Sequence, residues 1–226
     1  SSEPPPPEAA VVGDGPAARL LAAALAGDRL RAQAAVRPLN PPDAVLAEVV
    51  EPVLREVGRR WQAGLLTPPQ EHFVSQLVHT LIDDLAAAQS APPDDAPLVA
   101  LVRAANDEHS LGQLCLRIHL RAAGLAGRVV GMKEDAASVV EPLEALAPAA
   151  IAFTCTTPGH LTAVRAAIEV VRRRPSLARL PVLLGGGIVR HVPQLASLLG
   201  ADGGAADGTG AARQLRAMTM PVGAGR

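Results

Sequence analysis

From residue 16 to about residue 90 the apolar positions recur at helical spacing. Val45, Val49, Val53 and Val57, with Leu46 and Leu54 beside them, form the i, i+3/i+4 stripe of a bundle helix, and Phe73, Leu77, Leu81 and Leu85 form another. Asp28 and Asn40 stand where N-caps are expected, and Pro41 falls in a first turn, where its missing N–H does no harm. Thr67-Pro-Pro-Gln-Glu opens the later striped helix, and Pro52, inside the earlier one, predicts a kink. The pattern predicts about four helices.

The periodicity changes after Ala91-Pro-Pro-Asp-Asp-Ala-Pro97. Short apolar runs at Leu98–Val102, Arg128–Met132, Ala149–Thr154 and Val182–Leu184, with a fifth around Ala201, alternate with helical stretches. The runs are continuous, as expected of parallel strands covered on both faces. Strand–helix alternation of this kind predicts a doubly wound α/β domain, whose ligands sit outside the carboxyl ends of the strands. The expected division is a tail (1–15) with the Pro4–Pro7 run, a helical domain (16–90), a linker (91–97) and the α/β domain (98–218).

Composition narrows the function classes. With 49% hydrophobic residues the chain can bury a core, yet it has one Trp, two Phe and no Tyr, so the place of Trp61 matters. The 21 basic residues nearly balance the 22 acidic ones, and no basic stripe suggests nucleic acid. Two cysteines, Cys115 and Cys155, make neither a disulfide framework nor a zinc site, and Cys155 reads as a buried thiol. The tail lacks the apolar core of a signal peptide, and no run is long enough for a membrane span; the expectation is a cytoplasmic protein.

The chemistry-bearing residues fall at the predicted strand ends. After the first strand comes Asn106-Asp-Glu-His109-Ser-Leu-Gly112. A histidine beside a carboxylate can give one ring nitrogen to a metal while the other donates to Asp107, which fixes the tautomer. Forty-one residues separate Gly112 from Thr154-Cys-Thr156, and 28 separate Thr156 from Gly185-Gly-Gly187. These three elements resemble the D-x-H-x-x-G, S-x-L and G-G signature of the B12-binding domains found in methionine synthase, acyl-CoA mutases and corrinoid methyl-transfer proteins. The resemblance implies a flavodoxin-like domain binding cobalamin, with His109 as the lower cobalt ligand and Asp107 tuning it. Thr154 would meet the nucleotide base, and Thr156, Gly185 and Gly186 would shape the slot for its tail. Thr at 154 keeps the hydroxyl of the usual Ser, and Thr156 makes that wall more polar than the usual Leu.

In the helical half, Arg60-Trp61-Gln-Ala-Gly64 precedes Glu71-His72, with nine residues between Trp61 and Glu71. Trp61 alone reads equally as a core anchor, and Glu71 as a first-turn acid complementing the helix dipole. Upstream of a B12 domain, however, the trio resembles the four-helix cap of the CarH/LitR-type adenosylcobalamin photoreceptors. There the tryptophan packs over the adenosyl group and the Glu–His pair contacts it. Gln62 stands where that family often has a histidine able to ligate cobalt after photolysis; His72 or His79 would have to substitute. The family's MerR-type DNA-binding domain has no counterpart in the proline-rich tail.

The resemblance implies a stand-alone, non-enzymatic light sensor. Its cofactor is cobalamin, adenosylcobalamin before methyl- or hydroxocobalamin, with a bilin as a conceivable second chromophore. Its output runs through an unknown effector protein or a change of homo-oligomer, without DNA or membrane. The alternative is a corrinoid carrier for methyl transfer. His119 is expected in the core or a groove, His160 and His191 at helix starts on the cofactor edge, and Arg172-Arg-Arg174 at a helix end facing solvent.

Overall fold

The computed structural model describes residues 14–104, 110–133 and 135–220. It separates into two compact units, Ser1–Ser90 and Ala91–Arg226.

The first unit is helical. Its elements are α1 (Pro16–Leu25), α2 (Arg29–Val36), α3 (Pro42–Val45), a π-helical turn (Leu46–Val50), α4 (Glu51–Gln62) and α5 (Pro68–Ala88). Because α3, the π turn and α4 run on without a break in helical backbone angles, they act as one rod, and the unit has the expected four. Asp28 caps α2, its carboxylate accepting from the Arg31 N–H at 3.0 Å. Asn40 is not a cap: Pro41 occupies that position in extended backbone, and Pro42 begins the helix. The irregularity expected near Pro52 takes the form of the π turn. The Glu51 N–H reaches back five residues to the Leu46 carbonyl, and this wider turn lies just before the residue that has no N–H to give. Val45, Leu46, Val49, Val50, Val53 and Val57 are all buried, as are Val74, Leu77, Val78, Leu81, Ile82 and Leu85 of α5.

One charged residue joins that interior. Glu56 is buried, and Arg59 grips both its oxygens at 2.8 Å while Arg60 Nε reaches Oε1 at 2.7 Å. The Arg59 hydrogen bonds, then those of Arg60 and the attraction of both charges, outweigh burial and hold the carboxyl at about 2. A depressed folded-state value means stability that is complete above the unfolded carboxyl range and is lost as pH falls toward 2. Both arginines are partly exposed, so screening limits the contribution. Glu56→Gln is expected to cost about 1–2 kcal/mol near neutrality and progressively less below about pH 4.5. Urea unfolding at several pH values checks this; a deficit independent of pH would mean that Glu56 acts by shape alone.

The second unit is a three-layer α/β domain. In order it contains β1 (Leu98–Arg103), α6 (Leu111–Ala122), β2 (Ala126–Gly131), α7 (Val140–Leu146), β3 (Ala150–Thr154), α8 (Leu161–Arg173), β4 (Val182–Gly185), α9 (Gly187–His191), α10 (Leu195–Leu198), β5 (Gly203–Ala205) and α11 (Gly208–Thr219). The strands are all parallel in the order β2-β1-β3-β4-β5, the flavodoxin-like doubly wound arrangement expected. Alternate residues of β1 enter opposite cores. Val99 and Leu101 pack with Leu116 and Leu120 of α6 and Leu215 of α11, while Ala100 and Val102 pack on the face held by α7 and α8. That is why the strands read as unbroken apolar runs.

Two strands lie slightly off the expected positions. β2 starts at Ala126 because Ala126 and Gly127 pair with Leu98 and Val99 although they carry little hydrophobic signal. β5 begins at Gly203, since Gly200 turns the chain with φ +84° and the Asp202 N–H bonds Val182 before pairing begins. The arginine triplet also differs from expectation. Arg172 is an internal tie: its guanidinium donates to the carbonyls of Ala178, Leu180 and Gly200 and to Asp202 Oδ2 at 2.7 Å. The same carboxylate oxygen accepts from the Val182 N–H at 2.7 Å, which anchors the start of β4. Arg173 pairs with Glu169, and Arg174 with Glu144. Among the described residues, no helix is long and apolar enough to cross a membrane.

Candidate functional site

Parallel pairing aligns the carboxyl ends of the strands into one row, Gly131, Arg103, Thr154, Gly185 and Ala205, each facing the next across the sheet. Asp107 and His109 lie outside the described residues; they belong to the stretch between Ala104, just beyond β1, and Ser110, which precedes α6. The strand order reverses at β1, so the carboxyl end of β1 lies at the switch point where doubly wound folds bind ligands.

Thr154 and Gly185 are direct register partners, with the Cys155 N–H bonding the Gly185 carbonyl at 3.0 Å just beyond. Among the described residues the Thr154 hydroxyl has no hydrogen-bond partner, and it is half-buried at the edge. Thr156 is half-buried as well. Cys155 is fully buried, and its thiol donates to the Thr157 carbonyl at 3.3 Å, in keeping with an inert internal thiol. His160 precedes α8 and shares a 3.2 Å contact with the Thr157 hydroxyl, whereas His191 ends α9 instead of starting it. His119 is in the core.

The paired glycines differ in kind. At Gly186 the backbone has φ +108°, and a Cβ would stand 2.1 Å from the Cys155 carbonyl oxygen, so the protein itself forbids a side chain. At Gly185 a Cβ would meet nothing closer than carbonyl oxygens at 3.9 Å, an ordinary contact. Gly112, exposed in the first turn of α6, has nothing within 4 Å of such a Cβ. Protein packing requires Gly186 and leaves Gly185 and Gly112 unexplained.

Next to Gly112 is a residue that sequence reasoning missed. Gln113 is 2% exposed, and its Nε2 has no partner among the described residues. A buried amide donor without an acceptor costs about 1–3 kcal/mol. The signal in the sequence is slight: Gln113 is one of two polar positions, with His119, on the inward face of α6.

In the helical unit, Trp61 stands in the last turn of α4 and is 44% exposed, so it is not a core anchor. Its place is set by the way the helix ends. The Leu65 N–H bonds the Arg60 carbonyl and the Gly64 N–H bonds Trp61, a Schellman stop that needs the positive φ of 67° at Gly64. The next helix opens on a capping box, with Gln70 Oε1 accepting from the Thr67 N–H at 2.9 Å. Glu71 follows in the first turn, one oxygen accepting from Ser75 at 2.6 Å and the other 2.8 Å from His72 Nδ1. The carboxylate is thereby oriented, and the His72 ring is largely exposed. His79 lies two helical turns further along the same face of α5, half-buried.

Residues 97–216 match the family model described as B12 binding domain, and residues 16–85 match a second model with the same description. Among curated proteins, the HTH-type transcriptional repressor CarH of Myxococcus xanthus is 33% identical over 151 residues, which is 66% of this chain and 49% of the relative. The chain thus spans about half the length of that relative. Among solved structures, the monomethylamine corrinoid protein of Methanosarcina barkeri superposes with a TM-score of 0.73 at 17% identity, over 88% of this chain and 95% of that one. A cobalamin-binding protein from Desulfitobacterium hafniense gives 0.50 at 16% identity, over 89% and 97%. At these identities both show a shared fold.

Proposed function

Because the chain belongs to the B12-binding domain family and is a cobalamin-binding protein, we propose that it is a light sensor working with adenosylcobalamin. The observation that carries this reading is the helical trio. Trp61 is held exposed by a Schellman stop, and Glu71 is oriented by Ser75 and His72, in a chain similar over 66% of its length to CarH.

The residues on the carboxyl edge fit the group. A free hydroxyl at Thr154, two glycines that packing does not require and an orphaned buried amide at Gln113 are features that a polar, bulky ligand would satisfy. When bound, adenosylcobalamin supplies a cobalt–carbon bond that light can break. His109 would hold the cobalt, with Asp107 fixing the imidazole tautomer. Thr154 would contact the nucleotide base, Thr156 would line the slot, and Gly185 would leave room for the tail beside the Gly186 turn. Trp61 would exclude water from the photolabile group on the cobalt, and Glu71 with His72 would hydrogen-bond to it. Contacts from these three side chains that depended on that group would bias an equilibrium between two arrangements of the protein, which is what a switch requires. Output is a protein–protein contact or a change of homo-oligomer. A bilin gains no support from the comparisons and forms no part of this reading.

The test is an absorbance spectrum with adenosylcobalamin in the dark and after green light, with size exclusion on both samples. A bound spectrum that converts and shifts the elution volume supports the sensor. Conversion-free binding with unchanged assembly would replace it with the corrinoid carrier for methyl transfer. Trp61→Ala is expected to keep cobalamin binding but reduce the preference for adenosyl- over hydroxocobalamin about tenfold, the size of one aromatic anchor. Equal weakening of both forms would remove Trp61 from the upper site.

A further inference from the structure

At the other end of the α/β unit from the carboxyl edge, a groove of about 340 Å³ runs between α6 and the free edge of β2. It is lined by Pro92, Arg117, Arg121, Leu125 and the strand residues Ala126 to Val129. Among the described residues β2 ends the sheet and pairs with β1 alone, so none of them adds a strand on its outer side. Val129 is 44% exposed there, an apolar side chain on an uncovered edge. Gly127 lets α6 lie close on the strand: a Cβ at that position would be 3.3 Å from the Arg117 Cγ and 3.0 Å from Leu120. The stem of Arg117 therefore rests on β2, at the groove.

We propose that this groove docks an extended acidic segment of a partner protein, added along β2 as a sixth strand. Exposed strand edges are templates for such addition, in which main-chain hydrogen bonds give affinity and side-chain contacts give selectivity. The charge specifies the partner. Arg117 and Arg128 have no ion pair or hydrogen bond within the described residues, and both line the groove. Such a run of like charge on an edge repels a second copy of β2 and attracts carboxylates. An added strand presents alternate side chains to the two faces: one row meets Arg117, Arg121 and Val129, the other meets Arg128. A small anion would use the guanidinium groups and leave both the strand edge and Val129 unused. The helix that carries Arg117 and Arg121 is the one whose first turn holds Gly112 and Gln113, so the groove and the cofactor edge share one rigid element. Docking itself needs no bound corrinoid, and the proposal stands or falls apart from the light-sensor reading.

The experiment measures fluorescence anisotropy of a labelled peptide of alternating Glu and Val, and of its Lys–Val counterpart, titrated with the full chain. The acidic peptide is expected to bind and the basic one not to. Arg117→Ala combined with Arg128→Ala should weaken binding by about tenfold or more, with an unchanged melting temperature, and added salt should weaken the native chain more than the variant. Equal binding to native chain and variant, or equal binding of both peptides, would overturn the proposal. Displacement by inorganic phosphate as effective as by unlabelled peptide would make the groove a small-anion site, and tighter binding of duplex DNA would make it a nucleic-acid surface.

Discussion

Gly185→Ala is expected to abolish cobalamin binding in a protein that folds as well as the native one, while Gly186→Ala is expected not to fold. The two residues are neighbours in a motif that treats them alike, yet their surroundings differ. A methyl at Gly185 points into space whose nearest protein atoms are 3.9 Å away, and the position lies within β4. The protein therefore tolerates it, and the reduced freedom of the unfolded chain favours the variant by about 0.4–1 kcal/mol. On the proposed reading the methyl would meet the ligand tail, and affinity should fall by about 100-fold or more, since overlap with one carbon in a packed slot costs a few kcal/mol. At Gly186 the methyl would lie 2.1 Å from the Cys155 carbonyl oxygen on a backbone at φ +108°. Clash and strain there exceed about 4 kcal/mol, a large part of the stability of a domain this size. Thermal melts and cobalamin titration of the two variants separate the cases. Normal cobalamin binding by Gly185→Ala would remove that glycine from the tail slot.

The second large effect is expected at His109. His109→Ala should lose histidine ligation of cobalt, visible as a changed absorbance spectrum, and weaken binding by well over about tenfold, because even a supporting residue of a metal ligand is worth 10–100-fold. Asp107→Ala should fall within that lesser range and keep the ligated spectrum, since on the proposed reading Asp107 orients the imidazole and does not itself ligate. Added imidazole should restore the ligated spectrum to His109→Ala and leave Asp107→Ala unaffected. A His109→Ala protein with native spectrum and affinity would require another ligand.

Much of the architecture was legible because it is periodic. Helical stripes through Val45–Val57 and Leu77–Leu85 encode a buried face, and unbroken apolar runs encode strands covered on both sides. The motif spacing was legible for a related reason. Once a run such as Ala150–Thr154 is recognised as a parallel strand, its last residue must fall at the carboxyl edge, and residues spaced one strand–helix unit apart return to that edge. Asp28 was readable as a cap because capping is a contact with the next few residues.

The rest depends on contacts between segments distant in sequence. Whether a glycine is needed by the fold depends on what faces it: Gly186 faces the Cys155 carbonyl only because β3 and β4 pair in one particular register. Arg172 looked like a solvent-facing helix end and is a tie between two loops, because Gly200 and Asp202 return beneath it. Ala126 and Gly127 joined β2 through pairing with β1, and the Arg117 groove exists because Gly127 admits the helix there. Gln113 drew no notice in the sequence, and only its burial leaves an amide without a partner among the described residues. The sequence by itself determined the elements, their order and the residue types at the sheet edge, since these follow from local periodicity and connectivity. Only the tertiary structure decided which of those residues the protein uses for itself and which it leaves open for a ligand, because that depends on strand register and helix approach, both set by several distant segments at once.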